Sequence, residues 1–184
     1  MIIVRHGQSE FNVVYSKTRV DPGIEDPAIT ELGAEQARDI VPHLKKLEIR
    51  RLISSPYRRA LQTASIIADA LSLDISVDPR VREHYAFSCD IGSPTSALAQ
   101  EWPSIDFSHL ADRWWPHEDE TDEIVEARAK AFLSETQLMA DRDHTAIVSH
   151  WGFIRGLTGL RVGNGTVVRV PQDGKGLVVA APDP

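Results

Sequence analysis

Residues 1–12 read MIIVRHGQSEFN. Four apolar residues, Met1 to Val4, run straight into Arg5, His6 and Gly7. A short unbroken apolar run of this kind suits a strand covered on both faces. Packing alone gives such a strand no reason to end in an arginine and a histidine, so the polar pair points to a site at its end. Two later runs end in the same manner. LIS (52–54) leads into Ser55-Pro56-Tyr57-Arg58-Arg59, and TAIVS (145–149) leads into His150-Trp151-Gly152. In an open parallel sheet, ligands bind in the crevice beyond the carboxyl ends of the strands. If these three strands are parallel neighbours, Arg5, His6, Arg59 and His150 converge there.

The rest of the chain alternates strand and helix. Residues 30–47 predict an amphipathic helix with Leu32, Ala37, Ile40, Val41 and Leu44 facing inward and Thr30 as its cap, kinked or broken early at Pro42. RRLIS (50–54) and DISV (74–77) read as strands, and 57–71 as a mostly apolar helix. Residues 84–120 have no clear period and contain Gly92, Pro94, Pro103 and Pro116, which marks an insertion. A helix over 121–140, strand 145–149, a helix over 151–161 and weaker strands near TVVRV (166–170) and LVVAA (177–181) complete the pattern. This predicts one α/β domain over 1–184, a three-layer α/β/α sandwich around a mostly parallel sheet, with the insertion covering the site.

The totals narrow the function. With 184 residues, 42% of them hydrophobic, the chain can build a real core. Net charge is −7 and no segment is rich in Lys or Arg, which argues against a nucleic-acid backbone or an anionic membrane as partner. The lone cysteine, Cys89, excludes an internal disulfide and any multi-cysteine metal site. MIIV is too short for a signal-peptide core, and no apolar run approaches the ~20 residues of a membrane span, so a cytoplasmic protein is expected. The tripeptide NGT at Asn164 matches a glycosylation acceptor, to which no secretory signal lends weight.

Charge at one helix start adds a second clue. Arg58 and Arg59 open a predicted helix, where positive charge opposes the macrodipole by roughly 0.3–1 kcal/mol each. An anion shared between the arginines and the free N–H groups of the helix start resolves the conflict. Arginines matched to histidines, with no carboxylate between them, point to phosphate rather than to a metal.

Five segments carry a family resemblance, in family order and over nearly the whole chain. RHGQSEFN resembles the R-H-G-x-S-x-x-N signature of the histidine phosphatase superfamily, the phosphoglycerate mutase-like fold. ITELGAEQA is similar to its L-T-x-x-G-x-x-Q-A segment, and SSPYRRALQTA to S-S-P-x-x-R-A-x-x-T-A. VREH resembles the R-E acid motif, and IVSHWGFIR resembles V-S-H-G-G-x-I-R. The resemblance implies that His6 is the nucleophile that accepts a phosphoryl group. It implies that Arg5, Arg59 and His150 clamp the phosphate oxygens, that Glu83 is the general acid and then the base, and that Asn12 adds a polar contact. In-line attack by a neutral imidazole fits this picture, provided that the other ring N–H is held by a hydrogen bond. Competing readings make Glu83 a partner of Arg80 or Arg82, Asn12 a turn-former and Arg58 a rim residue. His43, His109 and His144 read as surface residues.

Departures from the pattern shape the expected substrate. The segment at His150 reads S-H-W-G, so Trp151 either narrows the phosphate site or serves for stacking. Residues 87–123 hold nine acids, with Arg113 the only Arg or Lys. An acidic lid and a short chain argue against a doubly phosphorylated sugar acid, the mutase substrate class. Trp114 and Trp115 either wall the pocket or pin the insertion to the core; His84 and His117 are further wall candidates. The reading is a metal-independent phosphomonoesterase acting on a small phosphorylated metabolite without a cofactor. A phosphoglycerate mutase and a non-catalytic phosphate-binding module are its alternatives. A metal-dependent hydrolase fits poorly, because the arginines beside the histidines repel a cation and no H-x-x-x-H or carboxylate-rich ligand set appears. Cysteine-phosphatase chemistry fails as well, since Thr95 and not arginine stands six residues after Cys89. The glycines of GLTGLRVGNG (156–165) follow a helix rather than a strand and do not suit a dinucleotide loop.

Overall fold

The structure, a computed structural model, describes residues 1–182. In chain order the elements are β1 (Ile2–Arg5), α1 (Glu10–Thr18), α2 (Glu31–Lys46), β2 (Arg51–Ser54), α3 (Arg58–Leu71), β3 (Ile75–Val77), α4 (Thr95–Glu101), α5 (Asp122–Thr136), β4 (Thr145–Ser149), α6 (Trp151–Thr158), β5 (Val167–Arg169) and β6 (Leu177–Ala180). The sheet order is β3-β2-β4-β1-β5-β6. The first four of these run parallel, and β5 and β6 add antiparallel pairs at one side.

Alternation along the central strands makes the three layers. Ile3, Ile53 and Ile147 meet Ala129 and Phe132 of α5 and Phe153, Ile154 and Leu157 of α6. Their neighbours Ile2, Val4, Leu52, Ala146 and Val148 meet Ile40 and Leu44 of α2 and Ala64 and Ile67 of α3. Both faces are covered, as the unbroken apolar runs require. A smaller cluster of Leu61, Val77, Leu98, Ile105 and Phe107 fastens the insertion to α3. No helix among the described residues is long and apolar enough to cross a membrane.

The three strands with polar ends are indeed neighbours, in the order β2-β4-β1. Arg5 pairs with Ser149, so His6 emerges beside His150, and the His6 N–H donates to the Ser149 carbonyl at 2.9 Å. Ser54 pairs with Val148, which brings the start of α3 to the same edge.

Several sequence expectations need correction. Helix α1 was not foreseen; Ser9 caps it, and Asn12 completes the reciprocal capping pair. Leu32 lies on the outer face of α2, 47% exposed, because the inward stripe starts at Gly33. Helix α2 runs through Pro42 without a break, since Pro42 stands on the exposed face, where water can serve the freed Arg38 carbonyl. Helix α5 stops at Thr136, short of 140, and α6 at Thr158, where Gly159 takes a left-handed cap at φ 75°. The insertion contains a short helix, α4, of seven residues.

The two glycines of the first two family segments meet. A Cβ on Gly7 would stand 2.2 Å from the Gly33 carbonyl oxygen, and one on Gly33 would stand 2.2 Å from the Gln8 oxygen. The backbone after β1 therefore lies directly on the start of α2. Gly33→Ala should force these backbones apart and cost about 1–3 kcal/mol. Chemical denaturation measures this, and a wild-type midpoint would contradict the close approach.

Candidate active site

The side chains of the family segments mostly hold the loop after β1 in place. The Gly7 N–H donates to Thr63 Oγ1 at 3.1 Å, and that hydroxyl donates to the Arg59 carbonyl at 2.7 Å. The Gln8 N–H donates to Gln36 Oε1 at 2.8 Å. Ser149 Oγ donates to the Val81 carbonyl at 2.7 Å, which ties β4 to the segment carrying Glu83. With the loop pinned, the buried His6 ring sits with Nδ1 2.7 Å from the Gly7 carbonyl. A carbonyl only accepts, so Nδ1 carries the hydrogen and, in the neutral ring, Nε2 carries a lone pair. Burial, then the charges of Arg59 and Arg5, push the His6 pKa well below its usual range.

His150 packs against His6 with ring centroids 5.1 Å apart. Burial lowers its pKa as well, followed by the Arg59 charge. Neither of its nitrogens has a hydrogen-bond partner. Two buried, unpartnered ring nitrogens are costly unless a ligand completes them. His150 does not, however, line the open cavity: it is fully buried against the His6 ring, with Tyr57 packed edge-on against it at 5.2 Å.

Arg5 is anchored through Nη1 to the Val162 carbonyl at 2.7 Å, and its Nε is buried without a partner. Burial lowers its pKa to about 10, which leaves it cationic at neutral pH. Arg59 stands over the Tyr57 ring at 4.3 Å and donates from Nη1 to the Cys89 carbonyl at 2.6 Å. Its Nη2 meets Asp90 Oδ1 at 3.1 Å. This buried pair corrects the expectation that no carboxylate stands among the site's cations. Asp90 in turn accepts from the Ala86 and Phe87 N–H groups at 3.1 and 3.0 Å. Burial outweighs the Arg59 charge and raises its pKa to about 6. Two of the five guanidinium N–H groups of Arg59 are thus spent on its support, and three remain.

The helix-start argument also needs amendment. The Arg58 N–H donates to Asp26 Oδ1 at 2.9 Å, so a protein carboxylate supplies the anion there. Arg58 itself points outward to Glu101 at 3.0 Å, as a rim residue should.

Glu83 is free of both arginines proposed as partners: Arg80 pairs with Asp78 and Glu135, and Arg82 with Glu120. Its Oε1 accepts from the Gly152 and His84 N–H groups at 2.6 and 2.9 Å, so Oε2 is left for other work. A Cβ on Gly152 would stand 2.5 Å from Glu83 Oε1, which explains why glycine must follow Trp151. Arg128 holds the same segment, donating to the Arg82 and Glu83 carbonyls at 2.9 and 3.2 Å. Asn12 Oδ1 accepts from Ser9 N–H, Ser9 Oγ and Asn164 Nδ2 at 3.0–3.1 Å, and its amide nitrogen is left to donate.

A cavity of about 460 Å³ opens beside His6, lined by Arg5, Asn12, Arg59, Glu83, His84, Asp90, Trp151 and Asn164 among others. Trp151 is on its wall and does not close it. Trp114 and Trp115 are not on it: Trp114 packs edge-on against Tyr57 at 4.6 Å and against Trp115 at 5.5 Å, pinning the insertion. His117 is exposed outside it. Several lining residues were missed from sequence, among them Asp90 and Asn164, the aromatic residues Phe11, Tyr15 and Phe87, and the cation Arg19. The S-E-F-N capping pattern was a usable signal for α1 and hence for Phe11. Asp90 and Asn164 had no local signal.

The profile of the histidine phosphatase superfamily (branch 1) matches residues 1–173. The chain belongs to this superfamily. A 2,3-bisphosphoglycerate-dependent phosphoglycerate mutase of Thermoplasma acidophilum is 39% identical over 82 residues, 45% of this chain and 40% of that protein. This superfamily member thus matches well under half the length of that curated relative. A mycobacterial glucosyl-3-phosphoglycerate phosphatase has the same fold, with a TM-score of 0.66 at 23% identity over 98% of this chain and 97% of the other. So has an ecdysone phosphate phosphatase of Bombix mori, with a TM-score of 0.65 at 17% identity over 100% and 93%.

The site's titration should be visible in folding. His6 and His150 stay neutral when folded and bind protons on unfolding, so together they make stability fall as pH drops below about 6.5. Asp90, with its raised pKa, opposes them by one proton below about pH 6. Asp26, also raised by burial, opposes them in the same direction as Asp90, and the two strongly displaced imidazoles set the sign: stability falls as pH falls. Denaturation midpoints at about pH 6.5 and pH 5 measure it. Stability that rises over this interval would show that the imidazoles are not held neutral.

Proposed function

We propose that the chain is a metal-independent phosphomonoesterase that works through a phosphohistidine on His6. One observation carries the reading: the His6 Nδ1–H is held by Gly7, which leaves Nε2 as the lone-pair nitrogen beside two arginines. In the first step the Nε2 lone pair attacks phosphorus as the bond to the leaving oxygen breaks, and Glu83 gives that oxygen a proton. Arg5, Arg59 and the single N–H of the neutral His150 ring stabilise the non-bridging oxygens. In the second step Glu83 takes a proton from water, the water oxygen bonds to phosphorus, and the Nε2–P bond breaks to release phosphate. The anchoring of Glu83 through Oε1 alone, with Oε2 spare, suits a group that gives and takes a proton in turn.

The mutase alternative draws on the name of the partly matched relative. Against it stands the acid-rich insertion: its one cation, Arg113, lies over Trp115 and donates to the Pro116 carbonyl, away from the cavity.

The chain should hydrolyse p-nitrophenyl phosphate at mildly acidic pH with excess chelator present, and vanadate should inhibit it. Loss of the rate in chelator would remove the metal-free mechanism. His6→Ala should abolish turnover, and Glu83→Gln should slow it by about 100-fold or more while phosphate still binds. A full rate in Glu83→Gln would unseat Glu83 as the acid. Incubation with 3-phosphoglycerate separates the readings, since 2-phosphoglycerate without free phosphate would establish the mutase instead.

A further inference from the structure

The cavity wall has two chemically different parts. His6, Arg5, Arg59 and Asn12 form the polar part already described. The other part is three rings that touch one another. Phe11 and Tyr15, one turn apart on α1, stack at 5.2 Å and 18°. Phe87, from the insertion, meets Phe11 at 5.8 Å and Tyr15 at 5.1 Å. All three line the cavity.

Burial separates Phe87 from ordinary core packing, whereas Phe11 beneath it is 5% exposed. The rings that only pack, such as Tyr57 and Phe132, are 0% and 2% exposed. Phe87 is 40% exposed although it sits on a concave wall. Its backbone is fixed all the same, because its N–H is spent on Asp90 and the next residue, Ser88, donates its N–H to Asp21 at 2.8 Å. An open aromatic face on a fixed backbone is a binding surface waiting for an apolar body. Ser16 and Arg19 edge the same side of the cavity, with the Arg19 guanidinium over the Tyr15 ring at 5.8 Å, so the rings supply its apolar surface.

From this we infer that the preferred substrate is a phosphomonoester whose leaving alcohol carries an aromatic ring or a similarly flat apolar body, held against Phe11, Tyr15 and Phe87. The inference rests on the phosphomonoesterase reading and adds to it the class of leaving group.

Two non-hydrolysable ligands test it by calorimetry. 2-Phenylethylphosphonate and ethylphosphonate share the same head and differ only in the ring. The wild-type chain should bind the phenyl compound about tenfold or more tightly, the gain expected for burying one ring. Phe87→Ala should bring the affinity ratio down to about threefold or less. Phe87→Leu keeps apolar bulk for the loop and removes the ring face, and it should lower the ratio in the same direction. A wild-type ratio near one, or a ratio unchanged in both variants, would overturn the inference. Phosphonates bind without turnover, so this outcome is distinct from a failure of the hydrolase reading, which phosphate release decides.

Discussion

The hydrogen bond from His6 Nδ1 to the Gly7 carbonyl sets the tautomer of the central ring, and most of the surrounding structure serves to keep that bond in place. It needs the Gly7 carbonyl fixed to within a few tenths of an ångström. Three contacts do this from two helices: the backbone of α2 at Gly33, the hydroxyl of Thr63 on α3, and the amide of Gln36 on α2. The fold thus treats the loop after β1 as a rigid body between two helices. A looser loop would let the imidazole turn and exchange its donor for its acceptor. Nε2 would then carry a hydrogen, and the ring could no longer attack through it.

Charge is the second constraint. The chain is acidic as a whole, at −7, yet Arg5 and Arg59 stand beside His6. Each is held by backbone carbonyls, through Val162 and Cys89 respectively. Only Arg59 has a buried carboxylate partner. Asp90 lets a guanidinium be buried beside the imidazoles before any anion arrives, a state that is otherwise expensive. It spends two of its own acceptor positions on backbone N–H groups of the insertion, so the same carboxylate places Phe87 on the cavity wall. The Arg59 guanidinium and the Phe87 backbone therefore share one buried acid.

The fold was legible because it rests on local signals. Short apolar runs, four residues at Met1–Val4, two at Leu52–Ile53 and three at Ala146–Val148, marked β1, β2 and β4, and the polar residues that follow each run marked the edge where they meet. Parallel pairing then carried Arg5, His6, Arg59 and His150 together, as it must once Arg5 and Ser149 share a register. Asp90 was hidden because its partner lies 31 residues away and its own segment has no period. Leu32 was misplaced because an apolar residue next to a helix cap fits the stripe by spacing but falls outside it by angle. Trp114 and Trp115 carry the opposite lesson: two large rings near a site can serve as backing for a residue such as Tyr57 and never meet the ligand.

The central claim is that phosphorus bonds to Nε2 of His6. Rapid quenching during turnover of a labelled phosphomonoester, followed by peptide mapping at alkaline pH and phosphorus NMR, examines that bond directly. The account predicts a single acid-labile, base-stable phosphate on the peptide that contains His6, with the chemical shift of an Nε2-substituted imidazole. Label on a different residue, on Nδ1, or on no residue while turnover proceeds, would contradict it.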